Sequence, residues 1–322
     1  GTKLDKYTYV FNAYKLACKI HTEKHVALVQ AMMANYAGIV AFRFKKKFPD
    51  VPYMLTLQSG DSSFFIWVRT FWFYPLYKKV YTKADYIQSI SEYLMTRARN
   101  YGYKGKGEIV SNGVDVGFFA HPKSKEEIAA VRMELGIGKE EKVIITTSRL
   151  VYKNGIDQLI LGFNEWITKS KIPSKLLIIG EGKQEKYLRK IVRKLGIEKK
   201  VLFIGQKPYT SLPLYLQASD VFVRPSRSEG MGNSFIEALA AGIPIVGTKV
   251  GGIVDFLKHE ETGMLIDRDN PYAIARAIHA LVQNKQLTDS IVSNGSKMVH
   301  ERYEWDMIAD KMEKILKSLS KV

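Results

Sequence analysis

The sequence predicts an α/β protein made of two doubly wound parallel sheets. Three observations predict it. Short β-branched apolar runs alternate with longer helical patterns along the chain. The strand runs are continuously apolar rather than alternating, as in strands covered on both faces of a parallel sheet. A chain of 322 residues favours two domains over one, and a polar stretch over 121–141 separates two successions of elements.

Element by element, the first succession reads as a helix over 7–20, a strand over 25–30, a helix over 33–47 and a strand over 53–57. An aromatic helix over 64–81 follows, then a strand over 86–89, a helix over 92–100 and a strand over 108–110. After "SNGVDVGFFAHPKSKEE" the pattern restarts. Strands are expected at 143–147, 176–179, 201–204, 221–223, 245–246 and 264–266, with helices between them. The expected division is therefore a first domain over 1–120, a linker over 121–141, a second domain over 142–303 and a closing helix over 304–322. No tandem repeat or low-complexity segment interrupts it.

Composition bounds the function. At 46% hydrophobic and 25% charged residues the chain has an ordinary globular make-up. Cys18 is the single cysteine, so no intrachain disulfide is available. The net charge is +17, and residues 1–110 carry 17 Lys and Arg against 7 Asp and Glu. Such a field favours nucleic acid, an anionic membrane or a phosphorylated ligand, and a merely solvated basic surface is the plain alternative. The most apolar stretch, "FFIWVRTFWFYPLYKKVY", is interrupted by Arg69 and Pro75 and is short for a bilayer span. Rings beside cations suit a membrane headgroup region. A buried amphipathic helix covering a sheet is the competing reading.

Doubly wound sheets bind ligands beyond the carboxyl ends of their strands, so the loops that follow strands carry the chemistry. "IIGEGKQE" offers Gly180 and Gly182 but lacks the third glycine of a dinucleotide fingerprint. A strand-to-helix turn that needs small residues accounts for it as well. "TSRLVYKNG" places Arg149 and Lys153 after a strand, a pair suited to a diphosphate, or else two surface cations. "SRSEGMGNSFIEALAAGIP" sets Glu229 before the turn of Gly230, Met231, Gly232 and Asn233, and Glu237 after it. Ser234 and Glu237 form the S-x-x-E pattern of a capping box. Outward amides at that helix start suit an anion or a ligand rich in hydroxyls. A sugar nucleotide supplies both, because phosphates want donors and vicinal hydroxyls want carboxylate acceptors.

"LIDRDNP" contains a formal DxD, Asp267 and Asp269, but Asn270 and Pro271 read as a helix cap and first turn. No His, Cys and carboxylate group has metal-ligand spacing. Neither a G-x-S-x-G elbow nor a P-loop occurs.

In combination these segments resemble glycosyltransferase family 4, retaining enzymes of the GT-B fold. "SEGMGNSFIEALAAGIPIVGTKVGGIVDFL…ETGMLI" is similar to the family's E-x7-E signature, and "TSRLVYKNGIDQLI" to its phosphate-binding loop. "ADYIQSISEYL", "IVSNGVDVGFF" and "YEWDMIADKMEKIL" resemble the end of its first domain, its interdomain turn and its closing helix. The resemblance implies a GT-B protein, two Rossmann-like parallel-sheet domains facing a cleft. Its first domain looks incomplete, because the family's opening strand and glycine-rich loop are absent.

The resemblance further implies sugar transfer from a UDP- or GDP-sugar to a glycan or lipid-linked acceptor in cell-surface polysaccharide synthesis, with no metal and no cofactor. Arg149 and Lys153 would stabilise the leaving diphosphate. Glu229 and the amides of Gly230 to Asn233 would hold the donor sugar, beside Ser234. Glu237 would bind the ribose, groups near Gly180, Gly205 and Gln206 would frame the base, and Gly182 is a further donor-binding candidate. Gln58, Asp61 and Asn112 are acceptor-side candidates. Two positions depart from the family pattern. Asn154 stands where the family has a lysine, with Lys153 one residue early, and Gln58 stands where a histidine is usual.

A cytoplasmic protein, peripheral at the inner face of the membrane, is expected, with no nucleic-acid partner. A non-catalytic GT-B module that binds nucleotide sugar or serves as a partner is the alternative. A GT-B epimerase or phosphorylase is a further enzymatic one.

Overall fold

The structure, a computed structural model, describes residues 3–320. The described residues divide into two compact units, one over residues 3–112 with 306–320 and one over residues 113–305.

The first unit begins with α1 (Lys3–Lys24), β1 (Val29–Met32), α2 (Tyr36–Lys47) and β2 (Tyr53–Leu57). It continues with α3 (Ser63–Thr70), a 3-10 turn (Phe71–Phe73), α4 (Tyr74–Thr82), β3 (Tyr86–Ser89), α5 (Glu92–Asn100) and β4 (Lys106–Ile109). The four strands pair in parallel in the order β1-β2-β3-β4. β2 is buried at every residue, as its unbroken apolar run requires. Its side chains are covered on two faces: Tyr53 donates its hydroxyl to the Val80 carbonyl of α4, whereas Met54 and Tyr86 pack with Ile308 and Ile315 near the C-terminus.

Three expectations shift here. The first strand lies at 29–32 instead of 25–30, because the pairing of Val29 with Tyr53 sets where it begins. His25 instead takes a left-handed turn, φ 48°, after α1. The helix expected from residue 33 starts at Tyr36, where the Asn35 side chain accepts from the Ala37 amide. The single aromatic helix over 64–81 is two helices. Pro75 sits in the first turn of α4, where it lacks an N–H for the carbonyl of Phe71, and the chain tightens there into the 3-10 turn.

The second unit holds α6 (Val116–Ala120), α7 (Lys125–Glu134), β5 (Lys142–Thr147), α8 (Ile156–Ser170), β6 (Ser174–Ile179), α9 (Glu185–Leu195) and β7 (Val201–Gly205). After these come α10 (Leu212–Gln217), β8 (Val221–Arg224), α11 (Asn233–Ala240), β9 (Ile245–Thr248), β10 (Met264–Ile266), α12 (Pro271–Gln283) and α13 (Lys285–Arg302). The last helix, α14 (Trp305–Ser320), belongs with the first unit from Asp306 onward. The core of the second unit is built on α8, whose Leu159, Phe163 and Trp166 are buried with Ile274 and Ile278 of α12.

Residues 121–141 do not form a passage between units. They belong to the second unit, and α7 occupies their middle. The Gln217 side chain donates to the carbonyls of Phe119 and His121, both at 3.0 Å, and accepts from the Lys123 amide at 2.8 Å. Arg132 of α7 donates to the Ala218 carbonyl at 3.0 Å. Polar composition there serves these bonds and the capping box of Ser124 with Glu127. Among the described residues no helix is long and apolar enough to cross a membrane.

Candidate functional site

The six strands of the second unit run β10-β9-β8-β5-β6-β7, all parallel. The order reverses between β5 and β8, where Ile144 pairs with Val221 and Ile145 with Phe222. Such a reversal opens a crevice beyond the carboxyl ends of the two strands. The chain leaves β5 into 148–155, which carries Arg149 and Lys153. It leaves β8 into 225–232, which carries Glu229 and the glycine turn.

Arg224, the last residue of β8, ties the two loops together. Its Nη1 donates to Ser234 Oγ at 2.8 Å, and its Nη2 to Asn154 Oδ1 at 3.3 Å and to the Glu229 carboxylate. The Arg224 and Glu229 side chains are each only 12% exposed. The other Glu229 oxygen accepts from the Gly230 amide at 3.0 Å. The carboxylate is thus fixed at both oxygens while each keeps further lone-pair capacity for a ligand hydroxyl. Asn154 is buried and donates to Ser148 Oγ at 2.8 Å and the Arg149 carbonyl at 2.7 Å. A continuous line of hydrogen bonds therefore runs from the backbone of Arg149 to Glu229.

A second arginine repeats the device three residues on. Arg227 forms a two-pronged pair with Asp157, 2.8 and 2.7 Å, and donates Nε to Asp269 at 2.6 Å and Nη1 to the Tyr152 carbonyl at 2.9 Å. The Arg227 amide also holds the Lys153 carbonyl at 2.7 Å. Asp269 of the formal DxD is engaged in this network, and Asn270 caps α12 by accepting from the Ala273 amide. Among the described residues no group of three or more His, Cys, Asp or Glu is placed to hold a metal ion.

The loops approach one another as backbone. A Cβ on Gly180 would stand 2.0 Å from the Ser148 carbonyl oxygen, and one on Gly182 2.3 Å from that of Leu150. These two glycines are accordingly required by the packing of the 148–150 loop. Gly205 accepts from the Gly180 amide at 2.8 Å, and the Gln206 amide donates to Glu181 at 3.4 Å. Arg149 and Gln206 are exposed. The loops after β5, β6, β7 and β8 thus carry Arg149, Lys153, Gly180, Gly182, Gly205, Gln206 and the segment from Glu229 on the same sheet edge.

The capping box expected of Ser234 and Glu237 is not formed. The helix α11 begins at Asn233, and Gly232, at φ 101°, is its N-cap with no side-chain cap bond. The Ser234 hydroxyl is taken by Arg224 instead. Glu237 stands in the second turn, largely buried, and burial pushes its carboxyl up to about 7, with nearby Arg224 pulling the other way.

In the first unit, Gln58 and Asp61 line a cavity of about 170 Å³ beyond the end of β2. Its walls are largely apolar and aromatic, with Ile39, Leu57, Phe73 and Tyr77 among them. Arg97 is buried at its side and donates to the carbonyls of Asp61 and Ser59, at 3.1 and 3.2 Å. Asn112 is the last residue of this stretch of the first unit and does not line the cavity.

Comparison with known proteins decides the family. The profile described as glycosyl transferases group 1 matches residues 129–298, more than half of the chain, and that of glycosyltransferase family 4 matches residues 3–118. The chain belongs to the group 1 glycosyl transferases.

A relative called an uncharacterized glycosyltransferase, from Methanocaldococcus jannaschii, is 33% identical over 212 residues, 66% of this chain and 54% of its own. A GDP-mannose-dependent monoacylated alpha-(1-6)-phosphatidylinositol monomannoside mannosyltransferase of Corynebacterium glutamicum is 27% identical over 249 residues, 75% of this chain and 64% of its own. The chain thus spans about half to two thirds of these relatives' length. The crystal structure of Anabaena HepE in complex with UDP and glucose superposes with a TM-score of 0.82 at 21% identity, covering 94% of this chain and 81% of that one. The fold is GT-B.

In this glycosyl transferase the residue that the sequence reading passed over is Arg224. A strand "VFVR" followed by proline gives one signal, an arginine ending an otherwise apolar buried run. Arg227 and Asp157 were also missed, because a pair 70 positions apart leaves no local pattern.

Proposed function

We propose that the chain transfers a sugar from a UDP- or GDP-sugar to a glycan or lipid-linked acceptor, with retention at the anomeric carbon and with no metal or cofactor. The observation that carries this reading is the Arg224 bridge across the strand switch. It sets a fixed carboxylate, Glu229, opposite a loop with two cations. Departing diphosphate charge would meet Arg149 and Lys153, and fixed charges of this kind stabilise a transition state without reorganising. Glu229, with the amides of the Gly230–Asn233 turn and Ser234 nearby, would hold the donor sugar. Glu237, half ionised near pH 7, can either accept from or donate to a ribose hydroxyl. Gly205 and Gln206 would border the base. In the first unit, Gln58 and Asp61 line a cavity suited to an acceptor with an apolar portion.

Calorimetric titration with UDP, GDP and ADP identifies the base. With the best of them, Arg149→Ala and Lys153→Ala should each weaken binding by one to two factors of ten, since a charged hydrogen bond to phosphate contributes about 1.5–3 kcal/mol. A nucleoside without phosphates should be indifferent to both changes. Loss at Arg149 alone would mean that Lys153 points elsewhere. Unchanged binding in both variants would sink the pocket assignment. Tight nucleotide-sugar binding with no transfer to any acceptor would leave a binding module.

A further inference from the structure

We propose that the first unit docks on an anionic lipid surface through the outward face of α3 and the turn after it. The proposal goes beyond the transfer reaction and does not depend on it.

The rings expected either to cover the sheet or to face a membrane divide cleanly. In α3 only Ile66 and Thr70 are buried. Phe64, Phe65, Trp67, Val68, Phe71 and Trp72 all stand exposed, Phe64 at 75% and Trp72 at 90%. They form one array: Phe64 stacks on Trp67 at 6.4 Å, Trp67 meets Phe71 edge-on at 5.4 Å, and Phe71 meets Trp72 at 5.7 Å. A contiguous exposed apolar face of this kind marks an interaction surface. Phe and Trp on one face of a short helix, beside cations, match a segment lying in the headgroup region.

Charge selects the occupant. Between Asp61 and Asp85 the chain has no Asp or Glu, whereas Arg69, Lys78, Lys79 and Lys83 all lie there and all are exposed. The Arg69 guanidinium lies 5.4 Å from the Phe65 ring centre, at the border of the array. Phosphate headgroups complement this rim, because cations beside an anionic surface are attracted to it. A second copy would set the same cations against one another, which disfavours self-pairing. The inner side of the helix adds a further reason for lipid. Ile66, Arg69 and Thr70 line the aromatic cavity beyond β2, so docking the outer side brings an apolar, arginine-flanked cavity beside the lipid surface.

The test is flotation of the whole chain with vesicles of phosphatidylcholine alone and of phosphatidylcholine with phosphatidylglycerol. Binding to the anionic vesicles is expected, weaker as salt is raised. The double variant Phe64→Ser, Trp72→Ser should bind them at least about tenfold less, because it removes two of the rings that would be buried in the interface. Lys78→Glu with Lys79→Glu should weaken binding to the anionic vesicles. Thermal unfolding of the whole chain, followed in parallel, should be the same in parent and variants, which separates loss of docking from loss of fold. Equal partition to both vesicles, no partition to either, or a double variant that floats like the parent would overturn the proposal. Self-association that the double variant abolishes, without vesicle binding, would assign the face to a second copy and overturn it as well.

Discussion

Beyond β5 and β8 of the second unit, loops are locked by charged pairs with little exposure: Arg224 with Glu229, and Arg227 with Asp157. Beyond β2 of the first unit, the chain leads into α3, whose rings stand in solvent. The sheets differ in the same sense. One reverses its strand order and so gathers loops from both directions, whereas the other runs β1-β2-β3-β4 with no reversal. The difference teaches where fixed charge is useful. Under the proposed reaction, a site that meets a departing anion gains from groups that cannot relax, and tying an arginine to partners in three loops or elements removes that freedom. A face that meets a surface needs area and loses nothing by being held only at its back.

The comparison breaks first, and most strongly, at Arg224. Arg224→Ala leaves Glu229 without its cation in a nearly closed setting and frees Ser234 and Asn154. Removing one partner of such a pair costs about 3–5 kcal/mol, so the urea unfolding midpoint should fall clearly. Arg224→Lys keeps the charge but not the fork, and should recover only part of the loss. A midpoint like that of the parent would mean that the loops are held by backbone packing alone.

A smaller and pH-dependent effect belongs to Glu237. Its folded carboxyl titrates at about 7 against an ordinary 4.5, because burial disfavours the charge. The folded state therefore binds its proton more tightly than the unfolded one. Stability contributed by that proton is complete below about pH 4.5 and is lost as pH rises to about 7, by at most about 1.4 kcal/mol per pH unit. Glu237→Gln should flatten this part of the profile. Because no capping box is formed, the variant should not cost the helix its start. A slope unchanged by the substitution would show that other groups set it.

The smallest effect sharpens the contrast from the other side. Trp72→Ser should change stability by less than about 0.5 kcal/mol, as surface substitutions without buried partners do. A drop of several times that, in thermal unfolding, would mean that the exposed array supports the fold of the first unit.

Strands were the most legible feature. The runs over 53–57, 86–89 and 264–266 coincide with β2, β3 and β10, since a short apolar run in a parallel sheet has little choice of partner face. The placement of Arg149, Lys153, Gly180, Gly182, Gly205, Gln206 and the segment from Glu229 at or beyond the carboxyl ends of strands was legible, because the strands themselves were. Their ties could not be read, because Asn154, Arg224 and Ser234 meet only when β5 and β8 become neighbours.

Two of the chain's S-x-x-E patterns show where sequence stops deciding. At Ser124 and Glu127 both reciprocal bonds form, because the helix start is exposed and its two side chains have only each other's backbone to satisfy. At Ser234 and Glu237 the same letters give no cap, because a largely buried guanidinium from the preceding strand claims the serine, and burial raises the glutamate's carboxyl to about 7. Periodicity and residue type determined the α/β succession and the strand-following loops, and the quoted motifs carried the resemblance to the family. Which hydroxyl, amide and carboxylate would be pinned for a ligand was decided by the packing of β8 against β5, since hydrogen bonds between distant segments exist only once the sheet has brought their ends within reach.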